Sequence, residues 1–135
     1  RQRRLIDALH EKGCEVLVSS HVMRYEPAER VLEIALAQKA RGADIAKIVT
    51  AADTEDEELE NLRTTALLRR ELGIPFLFLS GGTHSRLHRQ LGPMLGCCMW
   101  LAVYEHDESS TSAQPVLRTL RAMAQNFRNY PDLFS

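Results

Sequence analysis

The sequence predicts an α/β domain built around a parallel sheet. Short β-branched runs alternate with helical stripes, and the strands recur at roughly 20–30-residue spacing, as stacked βα units with right-handed crossovers do. The apolar runs alternate only weakly between faces, as in a sheet covered on its outer side.

Taken in order, residues 1–12 place Leu5, Ile6 and Leu9 on one helical face, with Gly13 as a stop. "CEVLVSS" (14–20) reads as the first strand. Residues 27–41 carry Ala28, Val31, Leu32, Ala35 and Leu36 as a helical stripe, opened by Pro27 and closed by Gly42. "ADIAKIV" (43–49) is the second strand. "TEDE" (54–57) is a capping-box pattern whose acidic residues suit a helix start, and the helix it opens carries Leu59, Leu62 and Ala66 inward. "IPFLFLS" (74–80) is a third strand, and "GGTHSRLHRQLG" turns into a helix bearing Leu87 and Leu91. "CCMWLAVY" (97–104) reads as a fourth strand, with Met99 and Trp100 in the core. A polar loop over 105–114 precedes a last helix with Leu117, Leu120, Ala124 and Phe127 inward.

This α-βα-βα-βα-βα order fits two architectures, an open doubly wound sheet of four strands or half of a (β/α)8 barrel. Both place function at the C-terminal ends of the strands. No strand is followed by a glycine-rich nucleotide fingerprint. The 135 residues suffice for one domain with a core. A net charge of −1 gives no field for nucleic acid or an anionic membrane. No apolar run is long enough to span a bilayer. Three cysteines, with Cys97 and Cys98 on opposite faces, form neither a disulfide framework nor a metal pair and fit a reducing compartment. The chain opens inside a helical pattern and stops without a terminal signal, which suggests a fragment of a longer, multidomain chain.

The chemistry-bearing residues begin with Lys47, an ammonium in the middle of an aliphatic strand. Period two puts Ile45, Lys47 and Val49 on one face, and Leu17, Ser19 and His21 on one face of the strand before. Where both faces line one interior, an amine and an imidazole converge. Desolvation disfavours an ammonium, a neutral amine can form a Schiff base with a ketone, and an imidazole can move protons beside it. The plain alternative is a lysine whose head reaches water from the strand end, and a loop histidine. Arg86, in the first turn of a helix after Gly81 and Gly82, offers a cation and helix-start amides to a carboxylate or phosphate; the alternative is a solvated basic face shared with His88 and Arg89. Glu55, Asp56, Glu57 and Glu58 read as a capping run. Ser112 and Gln114 lie in the last loop, where a barrel enzyme would use them. His84, His88 and His106 show no metal-ligand spacing.

"VLVSSH", then "GADIAKIV" with Lys47 26 positions after His21, then "SRLHRQLGPMLGC" together resemble the second half of a type I 3-dehydroquinate dehydratase, over nearly the whole chain. The resemblance implies the C-terminal half of a (β/α)8 TIM barrel, four βα units, as a single half-barrel domain over 1–135. It implies Lys47 as the Schiff-base lysine for the C3 ketone of dehydroquinate and His21 as the general acid/base. It further implies Arg86 as the carboxylate grip, Ser112 as the serine of a closing loop and Gln114 as that loop's glutamine, with no metal or other cofactor.

The pattern also departs from the family. Val22 and Met23 follow His21, where the family has Asp or Asn and an aromatic residue, and "TSAQPV" lacks the usual Pro-Gly. Such a worn site is similar to the dehydroquinase-like domain of fungal quinate-pathway transcription repressors, which are related to the pentafunctional shikimate-pathway protein. On that likeness the leading expectation is a non-catalytic domain that senses 3-dehydroquinate or a relative, nuclear and with a regulatory protein partner. The alternatives are an active cytoplasmic lyase making 3-dehydroshikimate, and a plain α/β interaction module. "NYPDLFS" would lead into a shikimate-dehydrogenase-like domain. A half barrel leaves bare edges, and Leu17, Lys47 and the inner residues of "FLFLS" facing water, so self-association, as in a dimer, is expected.

Overall fold

A computed structural model describes residues 1–127, so "NYPDLFS" lies outside the described residues. Helix α1 (Gln2–His10) leads into β1 (Leu17–His21), then α2 (Ala28–Ala40), β2 (Ile45–Ala51), α3 (Glu55–Glu71), β3 (Phe76–Gly81) and α4 (Arg86–Leu95). A long loop then reaches α5 (Leu117–Ala124) and a 3-10 turn, Gln125–Phe127. The strands form a parallel sheet in the order β1-β2-β3, with Ser19 paired to Lys47 and Lys47 to Leu77. The first three βα units thus stand where the sequence puts them.

The helix-facing side of the sheet carries Val18, Ala46, Ile48, Phe76 and Phe78, all buried. The main core joins Ala46, Ile48, Phe76 and Phe78 to Val31 and Ala35 of α2, Leu68 of α3, and Leu72. Helix α1 contributes one fully buried residue, Ile6, to a satellite cluster with Val18 and Ala43. Leu5 is therefore exposed instead of sharing an inward face with Ile6: a helix at the sheet margin has little to cover.

Three larger sequence expectations are also corrected. The fourth strand does not form: in residues 97–104 only Val103 pairs, in an isolated parallel bridge to Val116. The segment starts alongside β3, where Cys98 N–H donates to Phe76 O at 2.8 Å. There the Cys97 thiol takes the next ladder position, accepting from Phe78 N–H at 3.4 Å and donating to Phe78 O at 3.6 Å. Burial pushes that thiol up to about 12, so it stays protonated and able to donate. Met99 is consequently exposed, and Trp100, half-buried, donates Nε1–H to Gln90 O at 2.8 Å.

Second, α3 buries Glu58, Asn61, Thr64, Thr65 and Leu68, and Leu59 points outward. Third, Leu77 and Leu79 are buried, not open to water; both belong to the main core, against which Leu101 packs. Leu17 is 41% exposed as expected. In α5, Leu120 and Ala124 point inward but Leu117, at the first turn, is exposed.

Candidate active site

The alternation of a parallel strand decides which side chains share a face, because paired residues point the same way. His21 pairs with Val49, one pleat beyond Lys47, so His21, Ser19, Lys47 and Val49 share the face opposite the helices. Strands lie about 4.8 Å apart and two residues span about 6.6 Å, a separation that a lysine side chain can bridge. On this face Lys47 is half-buried and His21 exposed. Behind Lys47, its backbone carbonyl accepts from Gln38 Nε2 at 2.9 Å, and the same amide donates to Ser20 Oγ at 2.8 Å. The buried Gln38 of α2 thereby ties β1 to β2 next to the lysine. Among the described residues no hydrogen bond or ion pair holds Lys47 Nζ or the His21 ring.

The three other expected site residues meet elsewhere. Arg86, Ser112 and Gln114 line one cleft of about 340 Å³, together with Gln90, His106 and Met123. Lys47 and His21 are not in that lining. Arg86 opens α4 and is exposed. The loop on the far side is braced from within. Its ends are joined where Val103 N–H donates to Pro115 O at 3.0 Å and Leu117 N–H to Val103 O at 2.9 Å. His106 Nε2 donates to Gln114 O at 2.8 Å, and Gln114 Oε1 accepts from Thr111 N–H at 3.2 Å. Asp107 caps the turn by accepting from Ser109 and Ser110, bonds that hold its carboxyl below the usual range.

The β3–α4 turn that presents Arg86 depends on Gly82. Its φ is +88°, and a Cβ there would lie 2.5 Å from Ala52 O and 2.6 Å from Asp53 Oδ1. The crowding follows from a tie between loops, since Thr83 N–H donates to Asp53 Oδ1 at 3.2 Å and His84 N–H to Ala52 O at 2.9 Å. Gly82→Ala is expected to cost about 2–3 kcal/mol, from left-handed strain and a backbone clash. A urea midpoint within error of the parent chain would contradict that.

The basic face expected around Arg86 is also corrected. His88 is fully buried: its ring joins Thr65 Oγ1 and Ser80 Oγ, each at 2.9 Å, and meets Phe78 edge-on with centroids 4.8 Å apart. Burial, helped by the neighbouring Arg89, lowers it to about 3, so the ring is neutral at ordinary pH. Arg89 is turned inward and donates Nε–H to Ser80 O at 2.6 Å. Glu58 is a buried carboxylate that accepts His88 N–H at 3.1 Å, so part of the helix start expected to serve a ligand is already filled. The capping box forms where the sequence puts it, with Thr54 Oγ1 accepting from Glu57 N–H, while the return bond reaches one residue further back, Glu57 Oε2 accepting from Asp53 N–H.

Sequence reasoning missed this buried polar seam between α3, β3 and α4. The signal was present in the helical spacing of Glu58, Asn61, Thr65 and Leu68, whose polarity disguised an inward stripe. Among the described residues, no group of three His, Cys, Asp or Glu is placed to hold a metal ion, and no helix is long and apolar enough to cross a membrane.

Comparison with known proteins sets this geometry in context. The profile of the type I 3-dehydroquinase family matches residues 1–130. The 3-dehydroquinate dehydratase of Lactiplantibacillus plantarum is 24% identical over 127 residues, covering 93% of this chain and 50% of that protein. The crystal structure of 3-dehydroquinate dehydratase from Geobacillus kaustophilus superposes with a TM-score of 0.86 at 25% identity, over 96% of this chain and 50% of that one. The type I enzyme of Clostridium difficile, whose structure carries covalently modified comenic acid, shares the fold with a TM-score of 0.84 at 17% identity, over 95% of this chain and 50% of its own. The chain spans about half the length of these relatives.

Proposed function

The chain belongs to the type I 3-dehydroquinase family, and from that membership we propose that it supplies the Schiff-base half of a 3-dehydroquinate dehydratase. The observation that carries the reading is the register that sets His21 and Lys47 on one face of adjacent parallel strands. Lys47 Nζ attacks the C3 ketone, and loss of water from the carbinolamine gives a protonated imine. The imine acidifies the adjacent carbon. Loss of that proton and of the neighbouring hydroxyl, as water, leaves a double bond conjugated with the imine. Hydrolysis returns the amine and releases 3-dehydroshikimate. His21 carries protons during imine formation, elimination and hydrolysis. Arg86 grips the substrate carboxylate, with Ser112 and Gln114 on the loop beside it. The chemistry needs no metal or other cofactor from this chain.

Sensing without turnover, as in a quinate-pathway repressor, is the second reading. The internally braced loop favours it, because a loop tied to itself through Thr111 N–H and Gln114 Oε1 is less ready to close over a substrate, as turnover asks of a lid. The dehydratase names of the relatives shift the weight to the enzyme over this reading, which the sequence alone put first. The two separate on incubation of the chain with 3-dehydroquinate. Growth of the conjugated enone absorbance supports the lyase, saturable binding without it supports the sensor, and neither leaves an interaction module.

The half barrel also supports a partner for its open side. β1 is an edge strand, and Leu17, Ser19 and His21 are exposed on the face that a closed barrel would turn inward. Further barrel strands, from a second copy or from more of a longer chain, would cover it. A concentration-independent monomer in light scattering would remove the second copy from consideration.

A further inference from the structure

Helix α4 begins without a side-chain cap of its own: Ser85 Oγ turns back to donate to Gly82 O at 3.0 Å. The missing acceptor comes from another helix. Glu58 of α3, 9% exposed, accepts the His88 amide at 3.1 Å through Oε1, in the first turn of α4. A carboxylate at that place caps an otherwise orphaned N–H and also suits the positive end of the helix dipole. On the inner side of the same turn, the His88 ring joins Thr65 of α3 to Ser80 of β3, and Arg89 Nε donates to Ser80 O. The first turn of α4 is therefore clamped from α3 and β3, while Arg86, its first residue, stands outward at the cleft with Ser112 and Gln114.

We infer that Glu58 is a positioning residue: by capping α4 from α3 it sets the placement from which Arg86 grips an anionic, carboxylate-bearing ligand. The inference rests on the proposal that Arg86 is the carboxylate grip. It requires no contact between Glu58 and the ligand. A guanidinium displaced by about an ångström loses much of its value to a carboxylate, so the cap affects affinity more than its single hydrogen bond suggests.

Calorimetric titration of 3-dehydroquinate into the full chain tests it through a double-mutant cycle. Arg86→Ala and Glu58→Ala are each expected to weaken binding, by about tenfold for the arginine and several-fold for the glutamate. The double variant is expected to bind no worse than Arg86→Ala alone. Glu58→Gln, which keeps an acceptor for the His88 amide, is expected to retain most of the affinity. Hydrogen exchange at the His88 amide should accelerate in Glu58→Ala and not in Glu58→Gln.

The outcomes separate cleanly. Unchanged affinity in Arg86→Ala, or no binding by the parent chain, defeats the reading of Arg86 and this inference with it. A loss in Arg86→Ala but none in Glu58→Ala defeats the inference alone. Fully additive losses in the double variant do so too, because Glu58 would then act independently of Arg86. Should Glu58→Ala fail to fold, Glu58→Leu, which removes the acceptor but keeps bulk, takes its place in the cycle.

Discussion

Replacing Lys47 by methionine is expected to lower turnover of 3-dehydroquinate by roughly 10⁴-fold or more, as loss of a covalent nucleophile does. The fold should barely notice. The side chain is half-buried, and the interaction that fixes this part of β2 is made by the Lys47 backbone carbonyl with Gln38, which methionine preserves. A variant with the parent's urea midpoint and no turnover is the expected pair of results. Retained turnover would mean that Lys47 is not the nucleophile. His21→Ala, removing a proton carrier and not the nucleophile, should cost less, about 10²–10⁴-fold.

Acid is expected to destabilise the chain by several kcal/mol between pH 6.5 and about 3.5, with His88 as the main source over the upper part of that range. Burial depresses the folded-state value of this ring from 6.5 to about 3. In that window the unfolded chain therefore binds a proton that the folded chain refuses, and stability rises with pH. It is complete above about 6.5 and is lost as the pH falls toward 3. A single such group gives a slope approaching about 1.4 kcal/mol per pH unit in the middle of the window. Asp44 and Asp107 act with the same sign, but only below their ordinary 3.8. The groups packed around the ring are neutral hydroxyls and Phe78, with Glu58 on the same residue's amide and Arg89 next in sequence. Urea unfolding at pH 4.5 and 7 should show the loss in the parent chain and a flatter response in His88→Gln. Equal responses would remove His88 as the cause.

The parts of the fold legible in the sequence were those governed by short-range pattern. Apolar runs with β-branched residues, bounded by Gly13, Gly42 and Gly73, located three strands and the helices between them. Period two then carried His21 and Lys47 to one face without further information. The fourth strand was misread because its residues are apolar enough for a strand, while the thiol of Cys97 occupies both backbone groups of Phe78 that would continue the ladder. That competition is tertiary and leaves no mark on hydropathy. The inward face of α3 was misread for the opposite reason. Leucine seemed the natural inward residue, yet the neighbouring β3 and α4 present Ser80 and His88, and threonine, asparagine and glutamate are what such a surface accepts. Asn61 is fully buried there with neither amide atom hydrogen-bonded.

The site divides along the same line. Lys47 and His21 lie on regular strands, so arithmetic placed them. Arg86, Ser112 and Gln114 depend on a glycine turn and a hydrogen-bonded loop, and they gather in a cleft that excludes the other two. In a half-length chain the open β1 edge offers a physical reason for this separation. Among the described residues the sheet holds three strands, and none further closes a barrel around a single ligand.

The central claim is that the amine of Lys47 captures a ketone with help from His21. It is tested most directly by treating the full chain with 3-dehydroquinate and borohydride, then mapping the modified peptide by mass spectrometry. The expected result is a reduced adduct on Lys47 alone, absent in Lys47→Met and slower to form in His21→Ala. An adduct spread over exposed lysines such as Lys12 and Lys39, or none under conditions where ligand binding is measurable, would contradict it.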